Sequence, residues 1–230
     1  MNQHTAIQQA FAQMRREANL RHRDIASQLG ISEGELVAAH VALPDESPER
    51  VMKARRLRPA WPQIVEALEP VGDVMALTRN ESCVHEKVGT YANGSHTGHM
   101  GLVLGGAIDL RIFYQRWAHG FAVDEPTDKG PQSSLQFFDA AGTAIHKVFL
   151  RPGSNAVVWK GLISDFIATH QQPGIAVESI PSPDPERPDT DIDVPAFRQA
   201  WASMRDTHEF FGLLKKYGVA RTQALRLADP

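Results

Sequence analysis

The chain has little of what stabilises exported proteins or anchors membrane proteins. Among its 230 residues Cys83 is the single cysteine, so no disulfide can form within the chain. No apolar run approaches the length that crosses a bilayer, and the first residues lack the apolar core of a signal peptide. The net charge is only −3, which gives no global attraction to nucleic acid or to anionic membranes. We therefore expect a cytoplasmic protein without membrane insertion.

What is present predicts a mixed fold. Apolar residues make up 42% of the chain, near the globular average, which is enough for a buried core. Residues 1–70 have helical character, and Ser32 followed by Glu35 forms a capping box. Residues 71–151 alternate apolar and polar side chains as half-buried strands do, and residues 155–170 return to helical spacing. This order predicts an α+β fold: an antiparallel β-meander sheet flanked by N-terminal helices and a closing helix.

The same pass along the chain predicts its division. Residues 1–172 form the first α+β unit, and residues 173–195, rich in proline and aspartate, form a mobile, protease-sensitive linker. Residues 196–230 are helical. The sequence Ala-Phe-Ala-Gln-Met-Arg at 10–15 recurs as Ala-Trp-Ala-Ser-Met-Arg at 200–205, which indicates the opening helices of a truncated second repeat.

Two side chains in these segments are candidates for chemistry. Arg111 lies in an alternating strand, on the face opposite the apolar residues Ile108, Leu110, Ile112 and Tyr114. In a dry pocket a guanidinium stays charged and can hold a bound oxygen or water, although pairing with Asp109 at the surface explains it equally well. His208 falls at helical spacing on an apolar stripe that contains Phe197, Trp201, Met204 and Phe211. From spacing alone, an imidazole there is better explained as a core histidine bonded to a carbonyl than as a metal ligand.

The chain resembles a known family over most of its length. The resemblance lies in segments that follow one another in the family's order: Val74 to Glu81, Val84-His85-Glu86, Gly98-His99, Ile108-Asp109-Leu110-Arg111, Phe121-Ala122-Val123, Ser134 to Asp139, His146-Lys147-Val148 and Asp206-Thr207-His208-Glu209-Phe210-Phe211. These segments are similar to the HemS/ChuS family of bacterial cytoplasmic heme-utilisation proteins. Family members usually have two similar halves, whereas this chain ends soon after its second half would begin.

The resemblance implies a cofactor and its ligands. It implies that heme binds, that His208 ligates the iron with Met204 and Phe211 against the ring, and that Arg111 acts as the catalytic residue on the distal side. It implies that the protein receives imported heme and delivers it to a partner protein or degrades it with an external reductant and oxygen. Whether the chain is an enzyme, a non-catalytic chaperone or a truncated binding module stays open. We also expect a homodimer, because the apolar side chains of the terminal helices need cover.

Two other readings are weaker. Residues 23–41 imitate a DNA-binding helix-turn-helix, but Glu33 and Glu35 at the start of the second helix oppose contact with phosphates, which disfavours a regulator. His96 and His99 stand three residues apart, yet no second ligand pair accompanies them, so we do not expect zinc.

Overall fold

The computed structural model describes residues 2–18, 20–44, 51–80, 82–179, 185–206 and 209–228. The chain divides into two compact units, Met1–Ser179 and Ile180–Pro230, and each has a hydrophobic core of its own. All the described strands belong to the first unit. The predicted α+β class with an antiparallel sheet is confirmed.

Three helices open the first unit: α1 (Gln3–Ala18), α2 (His22–Leu29) and α3 (Glu33–Ala38). The second helix ends at Gly30, whose φ of 67° lies in the left-handed region that suits glycine. Ser32 then caps α3, because its side chain accepts from the Glu35 N–H while the Glu35 carboxylate accepts from the Ser32 N–H. The capping box predicted from the sequence is confirmed.

Nine described strands follow: β1 (Lys53–Arg56), β2 (Val74–Arg79), β3 (Val84–Gly89), β4 (Gly94–Thr97), β5 (Met100–Leu104), β6 (Asp109–Phe113), β7 (His119–Thr127), β8 (Gly130–Phe138) and β9 (Ala144–Phe149). They form a six-stranded antiparallel sheet in the order β1-β7-β8-β9-β2-β3 and a three-stranded sheet in the order β4-β5-β6. The meander therefore occurs twice, in β4-β5-β6 and in β7-β8-β9. In the six-stranded sheet β2 pairs with β9, although the two strands are far apart in the sequence.

Both faces of the six-stranded sheet carry a core. One face packs with the inner side of the three-stranded sheet and with helices α4 (Trp61–Glu66) and α5 (Ala156–Phe166). On α5 the four buried side chains are those that the helical spacing predicts: Trp159, Leu162, Ile163 and Phe166. The other face is partly covered by α1, α2 and α3, through Phe11, Ile25 and Leu36 among others. This partial cover leaves a cleft between the three helices and the sheet.

The basic segment before α4 forms part of the six-stranded sheet. Lys53–Arg56 forms the edge strand β1, paired antiparallel with β7. Arg55 bonds the carboxylate of Asp124, and Arg56 donates to the carbonyl oxygens of Gln172 and Gly174 at 3.0 and 2.6 Å. Its partners are distant in sequence, which is why composition alone misses this strand.

The segment after α5 begins as part of the first unit. The Gly174 N–H donates to the Ala38 carbonyl at 2.9 Å, and the Glu178 N–H donates to the Ala140 carbonyl at 2.8 Å. Residues 180–184 of the predicted linker lie outside the described residues. The proposed mobility of this linker stays a prediction.

The second unit contains α6 (Val194–Ala202), α7 (Glu209–Tyr217) and α8 (Arg221–Ala228), preceded by a short 3₁₀ helix at Asp189–Asp191. Its core residues are Ile192, Phe197, Leu213, Val219, Ala224 and Leu227. Within the described ranges, no helix has both the length and the apolar character that a bilayer crossing requires.

Candidate functional site

Arg111 lies in the middle of an exposed face of the three-stranded sheet. The antiparallel register pairs Leu102 with Arg111, Met100 with Phe113, and Leu104 with Asp109, so these six side chains share one face. We call this surface the Arg111 face. Met100, Leu104 and Phe113 are each about half exposed, at 46, 53 and 49%. The Arg111 cation thus shares an exposed face with four apolar side chains and with the carboxylate of Asp109.

The inner side of this sheet holds the Arg111 face in place. Ile112 and Val103 point into the core, as the predicted alternation of β6 requires. The Tyr114 hydroxyl is hydrogen-bonded to His96 Nδ1 at 2.8 Å, and burial raises the pKa of Tyr114. Gly101 lies directly under that tyrosine, where an added Cβ would come within 2.5 Å of the hydroxyl oxygen. Tyr114 therefore acts as a neutral packing group behind the Arg111 face.

Arg111 itself is exposed, so it does not occupy a dry pocket formed by the first unit alone. Exposure leaves its guanidinium able to donate hydrogen bonds to an oxygen-bearing ligand on this face. The sequence pattern singles out Arg111 but not Met100, Leu102 and Leu104 of the same face. The signal for them was the alternation of the preceding strand, which becomes useful only when the β5–β6 register is known.

The other predicted site residues belong to the second unit. His208 and Thr207 lie outside the described residues, so the iron-ligand assignment of His208 stays a prediction. Met204 packs against the helical core, whereas Phe211 is 66% exposed. One continuous helix from Phe197 to Phe211 does not form, because α6 ends at Ala202 and a new helix, α7, begins at Glu209. The helix break turns Phe211 away from the core.

The helix-turn-helix reading finds no support in the packing of α3. Five of its six residues are buried, including Glu33, and the Gly34 N–H donates to the Gly142 carbonyl at 2.8 Å. A recognition helix must instead present an exposed face to the major groove. Helix α3 is thus a structural element of the first unit.

The sequence matches a known protein family. Residues 30–166 match the family model described as the haemin-degrading HemS.ChuX domain. The chain belongs to this family. The match covers the six-stranded sheet and the Arg111 face but ends before the second unit.

Individual relatives extend the similarity through both units. The hemin transport protein HmuS of Yersinia pestis is 38% identical over 205 residues, which are 89% of this chain and 56% of that protein. Holo-PhuS, a heme-binding protein of Pseudomonas aeruginosa, has 42% identity and a TM-score of 0.89, covering 100% of this chain and 64% of its own. The heme-degrading enzyme ChuS of Escherichia coli O157:H7 has 32% identity and a TM-score of 0.81, with 97 and 62% covered. The chain thus spans little more than half the length of the relatives that it matches.

Proposed function

We propose that this protein binds heme as part of heme utilisation in the cytoplasm, that Arg111 and its apolar neighbours contact the bound heme, and that His208 ligates its iron. The observation that carries the proposal is the exposed apolar face around a single arginine, in a chain of the HemS/ChuX family. These exposed apolar side chains do not contribute to the core of the first unit. A large flat ligand with acidic groups would contact the apolar side chains with its body and Arg111 with its acidic groups.

The residues of this face suit heme by their chemistry. Met100, Leu102 and Phe113 offer apolar contact to a tetrapyrrole ring, and their cover would exclude water from its surface. The Arg111 guanidinium is always charged and donates directional hydrogen bonds, so it would hold an anionic propionate or an oxygen on its side of the ring. Bound heme would supply the iron at which oxygen chemistry takes place.

Delivery and degradation both require this binding step. We propose that the protein receives imported heme and either passes it to an accepting protein or takes part in its oxidative degradation. For degradation, Arg111 would act by positioning an oxygen-bearing group, while electrons come from an external reductant. A chaperone would use the same residues without consuming the ring.

An absorption titration with ferric heme tests the proposal, followed by ascorbate in air. We expect a Soret band that saturates with heme, and its bleaching after ascorbate would identify turnover. His208→Ala should abolish or shift the Soret maximum, and Arg111→Ala should change bleaching more than heme affinity.

Matched controls make these results specific. His170→Ala and Arg116→Ala remove an exposed histidine and an exposed arginine of the first unit that lie outside the proposed site. Both should behave as the unmodified chain. An unchanged spectrum and affinity in His208→Ala would remove it as the ligand.

A further inference from the structure

A concave site lies on the six-stranded sheet, away from the Arg111 face. It is a cleft of about 660 Å³ between helices α1, α2 and α3 and the sheet face that they only partly cover. Its size falls in the range of small-molecule sites. Its lining comes from β2, β3, β7, β8 and β9 as well as the three helices. We call it the helix–sheet cleft.

The base of the cleft contains a buried ionic cluster centred on Glu33. Lys147 Nζ lies 2.5 Å from Glu33 Oε1, and Arg79 bonds the other carboxylate oxygen. The three side chains are only 5, 9 and 15% exposed for Glu33, Lys147 and Arg79. Burial opposes ionisation of Glu33, but Lys147 and Arg79 outweigh it and lower the pKa of this carboxyl. Two cations therefore share one carboxylate here.

A second buried carboxylate, Glu125, extends the cluster along β7. Glu125 lies 2.9 Å from His22 Nε2 and 3.5 Å from Arg15, and these contacts lower its pKa against the effect of burial. Together with the Glu33 group, three Arg and Lys side chains face two carboxylates at the base. Uncompensated buried charge is costly, so this excess of cationic donors favours an anion. The carboxylates nearer solvent, Asp24, Glu86 and Asp128, line the rim.

An independent observation points into the same cleft. Gln136 is 1% exposed and lines it, and its Nε2 donates to Ser134 Oγ at 3.1 Å. Its Oε1 has no hydrogen-bond partner among the described residues. A buried amide with one end unpaired destabilises a fold, unless a ligand pairs with it. Rotation of this amide exchanges its oxygen and its nitrogen. The unpaired end can therefore form a hydrogen bond with either an acceptor or a donor of a ligand.

An apolar strip leads outward from the charged base. Met75 pairs with Phe149 and Leu77 pairs with Lys147 in the β2–β9 register, so these side chains share the cleft face. Val84, opposite Arg79 on β3, continues the strip and is 53% exposed. A ligand here meets cationic donors at one end and apolar side chains along its length.

We propose that the helix–sheet cleft binds an organic carboxylate with an apolar body, its carboxylate on Lys147 and Arg79 and its body along Leu77, Met75 and Phe149. Two sources share this chemistry, an aliphatic acid and an iron-free tetrapyrrole acid. Neither needs an iron ligand, so the site is separable from the Arg111 face and from His208.

Calorimetric titration of the full chain with laurate and with biliverdin distinguishes the two sources, and inorganic phosphate tests charge alone. Saturable binding of one organic acid, with phosphate at least about tenfold weaker, is the expected result. For laurate, an environment-sensitive dye on Cys83, the chain's single cysteine and the neighbour of Val84, reports binding at the cleft mouth. Failure of both acids to bind, or equal binding of phosphate, overturns the proposal.

Variants assign the binding to the cleft. Lys147→Met should weaken it at least about tenfold, because a charge-assisted hydrogen bond is lost. Lys87→Met is the matched control, since Lys87 is exposed on β3 and pairs with Ala76 on the opposite sheet face. Gln136→Leu should weaken binding while keeping or raising the melting temperature, because it removes the unpaired amide. Equal affinities in Lys147→Met and Lys87→Met, or unchanged binding in Gln136→Leu, contradict the assignment.

Discussion

His146 is a histidine that the fold keeps neutral. Its Nε2 lies 2.6 Å from the Tyr91 hydroxyl and its Nδ1 lies 2.8 Å from Thr78 Oγ1, while its ring stacks on Trp117. Burial lowers its pKa to about 4. Burial likewise lowers the pKa of His40 to about 4, despite the Leu36 carbonyl at its Nδ1. Both imidazoles therefore serve packing and hydrogen bonding, and neither is available as a cation at neutral pH.

The lowered pKa values of these two histidines predict that the protein begins to lose stability at a pH well above the usual pKa of carboxylates. An unfolded histidine binds a proton near pH 6.5, whereas the folded ones resist it down to about pH 4. The contribution of these two histidines to folding stability is therefore fully present above pH 6.5. It falls between pH 6.5 and 4, by on the order of 3 kcal/mol per histidine. Below pH 4.5 the lowered pKa values of Glu33 and Glu125 add further loss.

Urea unfolding at a series of pH values measures this dependence. His146→Gln keeps a polar side chain that cannot titrate, so its stability should fall less steeply over that interval. His170→Gln, at an exposed position, should leave the slope unchanged. A flat profile from pH 6.5 to 4.5 in the unmodified chain would contradict the prediction.

At the scale of elements, the β8–β9 hairpin and the start of α3 depend on one glycine. Gly142 has a φ of 77°, and a Cβ there would come within 2.1 Å of Ser32 Oγ, the cap of α3. We expect Gly142→Ala to cost roughly 1–3 kcal/mol more than Gly30→Ala, because overpacking adds to backbone strain. Gly30 is the matched control, since its φ of 67° is similar but nothing lies within 4 Å of an added Cβ. Similar unfolding midpoints for the two variants would show that Ser32 moves aside at no cost.

Local sequence signals predicted the elements whose partners are close in the chain. The capping box at Ser32 and the buried face of α5 both depend on neighbouring residues. The pairing of β2 with β9 could not be read in this way, because the register is set by residues that only the tertiary fold brings together. The edge strand β1 was missed for the same reason, since its basic residues carry no alternation of apolar side chains.

The candidate sites divide along the same line. Alternation correctly placed Arg111 on the face opposite Ile112, because strand periodicity is local. The helix–sheet cleft had no sequence signal, since Glu33, Arg79 and Lys147 are widely separated along the chain and each alone resembles a surface charge. The prediction that Met204 and Phe211 lie on one stripe of a helix does not hold, because helical spacing does not reveal where a helix ends.

At the scale of the whole molecule, the exposed apolar side chains of the Arg111 face predict self-association. Covering Phe113, which is 49% exposed, contributes about 1 kcal/mol or more per copy, so Phe113→Ser should weaken association at least about tenfold. Val157→Ser is the control, because Val157 is 80% exposed on α5 and outside this face. Light scattering over a range of concentrations measures the effect. A monomer at every concentration would show that this face stays exposed without a partner.

The division into two units predicts that folding and heme binding can be separated. A chain of residues 1–179 keeps its own cores and the Arg111 face but lacks His208. We expect it to unfold cooperatively, with near-ultraviolet circular dichroism that reports packed tryptophans, because Trp61, Trp117 and Trp159 are all buried within it. We also expect it to lose the Soret band predicted for the full chain, as is expected of His208→Ala. If residues 1–179 bind heme with the same spectrum as the full chain, the iron ligand lies in the first unit, and the exposed His85 and His99 become the residues to replace.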